Sequence, residues 1–263
     1  MATFSTIASG STGNCALLTD EHTHILIDAG ISLRRIRGAL REMALTPDNL
    51  SAVLVTHDHA DHISGLPMLI KYYQMPVFAS VDTGRRLINK MPLLRPFIRM
   101  FEPGTGFELN NCYITSFNTP HDAIGSVGYK IETGDGRSLG FATDLGYMPT
   151  KVLEILKEVD LVVIEANHDV DMLKKGPYPY FLKERILGDY GHLSNECSAK
   201  ACLELVKNGV KTLILAHLSR ENNTPQFAEQ TVSEYLLNGG VNVGHDVQLG
   251  VASASYCGEE YLL

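Results

Sequence analysis

The chemistry open to this chain is concentrated in one run, Thr56-His57-Asp58-His59-Ala60-Asp61-His62. Three imidazoles and two carboxylates fall within six residues of it. Holding such groups together without a positive ion is costly. Neutral imidazole nitrogen and carboxylate oxygen are ligands for Zn, Mn or Fe(II). The run begins where the apolar segment Leu50–Val55 ends, so His57 and His59 alternate along extended backbone and can point to one side. Asp61 and His62 fall at the next turn and can face a second centre a few ångströms away. A polar loop of solvated histidines accounts for a lone histidine well and for this density poorly.

Further candidates stand where other apolar runs give way to loops. His121 follows Thr115–Asn118, Asp144 follows Leu139–Thr143, and His217 follows Thr212–Ala216. Side chains at strand ends on one sheet edge converge, as ligands do in open α/β folds. With the first cluster they supply seven ligands, enough for two metal ions sharing one carboxylate.

The elements that must position these groups alternate along the chain. Phe4–Ala8, Cys15–Thr19 and His24–Asp28 read as short strands, with Ser9–Asn14 a glycine-rich turn between the first two. Ser32–Ala44 is predicted as a helix capped by Ser32, Leu50–Thr56 as a buried strand, and Pro76–Ser80 as a strand between helices His62–Gln74 and Asp82–Lys90. The second half repeats the pattern. Strands are predicted at Phe107–Asn110, Cys112–Asn118, Ser126–Thr133, Ser138–Thr143, Leu161–Glu165, Thr212–Ala216 and Val247–Ala254. Helices are predicted at Pro149–Val159, Ser194–Asn208 and Thr224–Asn238. Two β-rich halves, each covered by helices, predict an α/β protein of two packed sheets with helices on both outer faces. Residues 1–263 are expected to form a single domain.

Composition excludes other classes. At 263 residues and 44% apolar content, the chain can bury a core without disulfides. With 20% charged residues and a mean hydropathy near zero it is no disordered polyelectrolyte. The formal charge of −8 means that nucleic acid would need a local basic patch. Met1–Gly10 carries neither a basic nor an apolar leader region, and apolar runs such as Leu161–Ile164 are too short to span a bilayer, so no membrane partner is expected. Five cysteines with no Cys-x-x-Cys pair argue for reduced thiols in a cytoplasmic setting, each as a small buried apolar residue.

The set His57-x-His59-x-Asp61-His62, His121, Asp144 and His217 resembles the metallo-β-lactamase superfamily, and the likeness runs over essentially the whole chain. That resemblance implies a four-layer αββα sandwich. It implies two divalent ions, Zn or Mn with Fe a further option, that make hydroxide available from water. One ion would take His57, His59 and His121, the other Asp61, His62 and His217, with Asp144 bridging. Asp28 would orient a ligand rather than bind. No cysteine occupies a ligand position, unlike the antibiotic-hydrolysing branch. Glu165-Ala166-Asn167-His168-Asp169 and Gly191-His192-Leu193-Ser194-Asn195 resemble segments of the tRNA 3′-processing enzymes, in which a histidine donates a proton and a glutamate orients it. With Ser9-Gly10-Ser11-x-Gly13-Asn14-Cys15 and His217-Leu218-Ser219, these stretches look most like the single-domain YycJ/WalJ group. That likeness implies 5′→3′ exonuclease activity, DNA favoured over RNA as the partner.

His192 as proton donor, oriented by Glu165, competes with a plainer reading in which His192 caps a helix and Glu165 is a buried partner. Asp61 would both bind metal and accept a hydrogen bond from the attacking water. Ser194 and Asn195 open a helix whose free N–H groups suit a phosphate, and Ser219 could serve similarly; an N-cap and a polar loop explain them equally. The stretch Lys174–Arg185, with Lys174, Lys175 and Tyr178, interleaves charge with aromatic rings just before His192. It suits a nucleic-acid strand, or else it is a proline-braced loop packed on the protein. Arg34, Arg35, Arg37 and Arg41 read as a solvated helix face. His168 and the Ser9–Asn14 turn have no settled role, and no motif sets an oligomeric state. A small-molecule phosphodiesterase or thioester hydrolase stays open beside the nuclease, because the metal set alone does not choose a substrate.

Overall fold

A computed structural model describes residues 1–255 and 257–263. The first sheet contains β1 (Thr3–Ala8), β2 (Cys15–Asp20), β3 (Thr23–Ile27), β4 (Ala52–Leu54), β5 (Val77–Ser80) and β6 (Ile98–Phe101). Helices α1 (Leu33–Glu42), α2 (Ala60–Ile63), α3 (Leu66–Tyr73) and α4 (Val81–Lys90) lie between its strands in the chain. The second sheet contains β7 (Gly106–Leu109), β8 (Cys112–Asn118), β9 (Val127–Glu132), β10 (Ser138–Ala142), β11 (Leu161–Glu165), β12 (Thr212–Ala216) and β13 (Gln248–Val251). Its helices are α5 (Thr150–Leu156), α6 (Val170–Lys175), α7 (Tyr180–Leu187), α8 (Asn195–Lys207) and α9 (Pro225–Asn238). The last strand, β14 (Glu260–Leu262), returns to the first sheet, whose order is β14-β1-β2-β3-β4-β5-β6; the second runs β13-β12-β11-β10-β9-β8-β7.

Period-two alternation explains the layering. Ile25 and Ile27 of β3 face the second sheet and join Leu161 and Val163 of β11 and Ile214 of β12 in a core between the sheets. Leu26 of β3 faces outward onto Ile36 and Leu40 of α1 and Leu66 and Leu69 of α3. Val162 and Ile164 of β11, with Leu213 and Leu215 of β12, face outward onto Val152, Cys202, Leu205 and Val232 of α5, α8 and α9. Three apolar interfaces therefore separate four layers, helix–sheet–sheet–helix, as the alternation in the sequence predicts.

In both sheets antiparallel strands give way to parallel ones: β3-β4-β5-β6 in the first, β10-β11-β12-β13 in the second. Asp28, His57, Asp144, Glu165 and His217 all stand at or just beyond the carboxyl ends of these parallel strands. Three of them, Asp28 (φ 60°), Asp144 (φ 61°) and His217 (φ 56°), are non-glycine residues in the left-handed region. Such strain persists only where the surroundings over-determine it, and it clusters at functional sites.

Some elements depart from the sequence pattern. The helix predicted over His62–Gln74 is two, α2 and α3, broken at Ser64-Gly65. A Cβ on Gly65 would lie 1.9 Å from the carbonyl oxygen of Ile31, so the chain bends here to let the backbones touch. The stretch around Lys174 and Tyr178 is not one loop but the end of α6, a short connection and α7. Cys15, Cys112 and Cys202 are buried as expected, whereas Cys197 is exposed and Cys257 half-buried. Among the described residues no helix is long and apolar enough to cross a membrane.

Candidate metal centre

The strand ends deliver two trios of donors. His57, His59 and His121 form one and Asp61, His62 and His217 the other; within each, the donor atoms lie within 4.8 Å of one another. Asp144 sits between them. Its Oδ2 is 3.5 Å from His62 Nε2, and its Oδ1 is 3.7 Å from His121 Nε2 and 3.3 Å from His217 Nδ1. Asp58, in the middle of the motif, turns away: Arg86 and Lys90 of α4 donate to its Oδ2 at 2.7 and 2.5 Å and hold it below the usual carboxylate range despite burial.

These donors fit divalent cations. His57 Nε2, Asp144 Oδ2 and His217 Nε2 are sealed from solvent with no hydrogen-bond partner among the described residues. Leaving a buried polar atom unsatisfied costs about 1–3 kcal/mol each. A cation would satisfy all three, and the donors are the nitrogen and carboxylate oxygen that Zn and Mn accept.

Electrostatics divide the imidazoles. Burial, reinforced by the neighbouring imidazoles, pushes His57 well below its ordinary value. Burial also pushes His217 down, but Asp144, Asp61 and Glu165 outweigh it and raise it well above. His62 is raised likewise by Asp144 and Asp28.

The supports around the centre explain how ligands are aimed. His62 Nδ1 donates to Asp28 Oδ2 at 2.7 Å, and Thr56 N and Oγ1 donate to the two oxygens of the same carboxylate at 2.8 Å. Asp28 thus stands behind His62 rather than among the clustered donors. Glu165 is fully enclosed. Its Oε1 accepts from Nδ1 of both His192 and His217 at 2.8 Å, while Oε2 accepts from the amides of Leu145 and Leu193. Against burial, the two imidazoles hold Glu165 well below the carboxylate range. His192 is 17% exposed, Asp61 25% and His59 33%, so the centre opens to solvent on their side.

The expected phosphate contacts fare less well. Ser194 is the N-cap of α8, its hydroxyl accepting from Cys197 N. Asn195 is wholly enclosed and exchanges two amide hydrogen bonds with Asn223, which corrects the expectation that it contacts substrate. The Ser219 hydroxyl accepts from Asn222, and the residue lines a cavity of about 470 Å³ with Ser9–Thr12 and Arg220. Lys175 pairs with Asp171, the carbonyl of Lys174 accepts from Lys183, and Tyr178 is half-buried. Among the described residues no hydrogen bond or ion pair joins Lys174, Lys175 or Tyr178 to the His/Asp cluster.

His168 is buried with neither ring nitrogen hydrogen-bonded among the described residues, and burial pushes it down to about 4. The fold therefore favours its neutral form. Its contribution is intact above the ordinary histidine value and is lost as pH falls from there toward 4. His168→Leu is expected to reduce the stability lost between pH 7 and pH 5 by about 2 kcal/mol relative to wild type, read by urea denaturation. An unchanged difference would remove His168 from the acid response.

A family model for the beta-lactamase superfamily domain matches residues 23–218. The chain is 36% identical over 249 residues to exodeoxyribonuclease YycJ of Bacillus anthracis, covering 94% of this chain and 93% of that protein. It is also 36% identical to exodeoxyribonuclease WalJ of Streptococcus pneumoniae, over 94% and 92%. The chain belongs to the metallo-β-lactamase superfamily. The crystal structure of the metallo-β-lactamase-fold protein YhfI of Bacillus subtilis superposes with a TM-score of 0.73 at 17% identity, covering 98% of this chain and all of that one, which bears out the fold.

Within this metallo-β-lactamase centre, four contributors escape motif reasoning. Ser9 Oγ accepts from the His217 amide at 2.8 Å. The Asn14 side chain, its oxygen fixed by the Gly10 amide, directs its amide nitrogen to Asp61 Oδ2 (3.3 Å) and His62 Nε2 (3.0 Å). Asp122 Oδ1 lies 3.4 and 3.5 Å from Nε2 of His121 and His59, and its Oδ2 accepts from Arg185 at 2.5 Å. The Ser9–Asn14 turn carried a weak signal, its glycine-rich composition, and Arg185 closes the basic, aromatic stretch that begins at Lys174; Asp122 carried no signal.

Proposed function

We propose that this protein is a metal-dependent DNA exonuclease that hydrolyses phosphodiester bonds from the 5′ end, working as one domain over residues 1–263. The near full-length identity to two proteins named exodeoxyribonucleases carries this reading, because the centre alone cannot choose a substrate. His57, His59 and His121 would hold one divalent ion, Asp61, His62 and His217 a second, and Asp144 would serve both; Zn and Mn are favoured and Fe is a third candidate. When bound, such ions supply positive charge for the phosphate oxygens and lower the pKa of water toward neutrality.

The chain's own groups then have separable tasks. Asp61, partly open to solvent, accepts a hydrogen bond from the attacking water. His192 donates a proton to the leaving sugar oxygen. Glu165 takes the hydrogen of His192 Nδ1, which leaves Nε2 as the atom that exchanges a proton with substrate. Asp28 fixes the tautomer and aim of His62. A cytoplasmic setting rests on the free thiols.

The test uses metal-stripped protein, Mn or Zn added back, and DNA and RNA strands labelled at either end. Metal-dependent release of mononucleotides from the 5′ end, faster on DNA, is expected, with KM rising steeply with salt. Turnover of small esters only, with a salt-insensitive KM, would overturn the proposal.

A further inference from the structure

The wall of the centre beyond Asp122 is built of groups that no step above uses. Arg185 of α7 donates through Nε to Asp122, which itself faces His59 and His121. The Nη groups of Arg185 have no partner among the described residues, and the side chain is 52% exposed. Phe181 lies one helical turn before Arg185, on the same face, and is 73% exposed. After α7 the chain turns through Gly188–Gly191, which carries Tyr190, 65% exposed. This turn is tied to the centre on both sides. Gly191 O accepts from His121 Nδ1 at 3.2 Å, and the amide of the proton-donor candidate His192 bonds to Ile186 O at 3.0 Å.

A second loop meets it. Gly146 N donates to Pro120 O, and a Cβ on Gly146 would lie 2.1 Å from Asp189 O. The next residue, Tyr147, is half exposed. Rings on three segments that touch one another, beside a guanidinium whose Nη groups have no partner among the described residues, are an unusual surface to leave in water.

We propose that Phe181, Arg185, Tyr190 and Tyr147 form the wall that holds an unpaired nucleic-acid end beside the centre, Arg185 taking a phosphate and the rings taking base faces. This deepens the nuclease reading and rests on it. A base presents its face only when unstacked, so a paired duplex cannot use these rings, and a small phosphodiester has no need of them. The chain's charge of −8 repels a polyanion at long range, so affinity must come from short-range stacking and one placed cation rather than from the overall field. Asp122 keeps the guanidinium from swinging away while leaving its Nη groups to bind.

The test compares wild type with Phe181→Leu/Tyr190→Leu, which keeps apolar bulk and removes ring faces, and with Phe181→Tyr, which keeps the ring. Two readouts apply: the ratio of kcat/KM on single-stranded DNA to that on bis(p-nitrophenyl) phosphate, and the Kd of a labelled phosphorothioate single strand by fluorescence anisotropy. The double leucine variant is expected to lose about 100-fold in that ratio, through KM, and about 100-fold in Kd, at about tenfold per ring. Phe181→Tyr should stay within about threefold, and Arg185→Ala should weaken strand binding and flatten its salt dependence. Leucine variants unchanged in both readouts would overturn the wall alone. A wild type that hydrolyses the ester and no oligonucleotide would overturn the nuclease reading and this inference with it.

Discussion

Asp144→Ala is expected to lower kcat/KM by about 10³-fold or more and to cut the metal content of the purified protein, measured by elemental analysis beside the rate. The size follows from position. Among the described residues Asp144 is the one carboxylate within 3.8 Å of donors in both trios, facing His121 on one side and His62 and His217 on the other. It is 1% exposed and held at φ 61°, so neither water nor another rotamer can replace it. The imidazoles of His62, His121, His192 and His217 crowd its oxygens, and a buried anion among them is what makes the arrangement tolerable, as its raising of His62 and His217 shows. If Asp144 serves both trios as proposed, losing it costs several kcal/mol of charge stabilisation at about 1.4 kcal/mol per tenfold in rate. Asp144→Asn keeps the shape and lacks the charge, and it should fall nearly as far. A variant retaining wild-type metal content and rate would mean that Asp144 merely fills space between the trios.

The candidate ligands were legible because the chemistry and the fold coincide there: His57, Asp144 and His217 stand just beyond the ends of the buried strands β4, β10 and β12. Cys112–Asn118, Leu161–Glu165 and Thr212–Ala216 are strands over the residues that their apolar runs predict. What stayed hidden lacks a local signature. β14 pairs with β1 from the opposite end of the chain, through Thr3 and Leu262, and nothing near Glu260 announces it. α7 buries only Ile186, so it has no apolar stripe to mark a helix, and the prolines and lysines just before it read as loop. Asp58 belongs to the motif by spacing, yet Arg86 and Lys90 draw it outward. Asn195 opens a helix as an anion site would, but Asn223, 28 residues on, takes up its amide. Side-chain partners across such separations are set by packing, not by neighbours in the chain.

Glu165 shows the same principle at the point of largest consequence, and its replacement separates two tasks that one oxygen performs. Because Oε1 accepts from both His192 and His217, Glu165→Gln is expected to disturb the proposed proton donor and a proposed metal ligand together. The loss should be about 10²–10⁴-fold in rate from the donor and about 10–100-fold in metal affinity from the ligand. His192→Ala should lose a comparable rate while keeping its metal, since His192 contacts Glu165 closely and Asp144 only at 3.7 Å. Leaving-group chemistry sharpens the distinction. A sugar alkoxide needs a proton to depart and a nitrophenolate does not, so His192→Ala should fall far less on bis(p-nitrophenyl) phosphate than on DNA. Glu165→Gln should fall on both, because weakened metal retention affects every substrate. Equal losses on both substrates in His192→Ala would strip His192 of its role as acid. Full metal retention in Glu165→Gln would instead leave its hydrogen bond to His217 without functional weight.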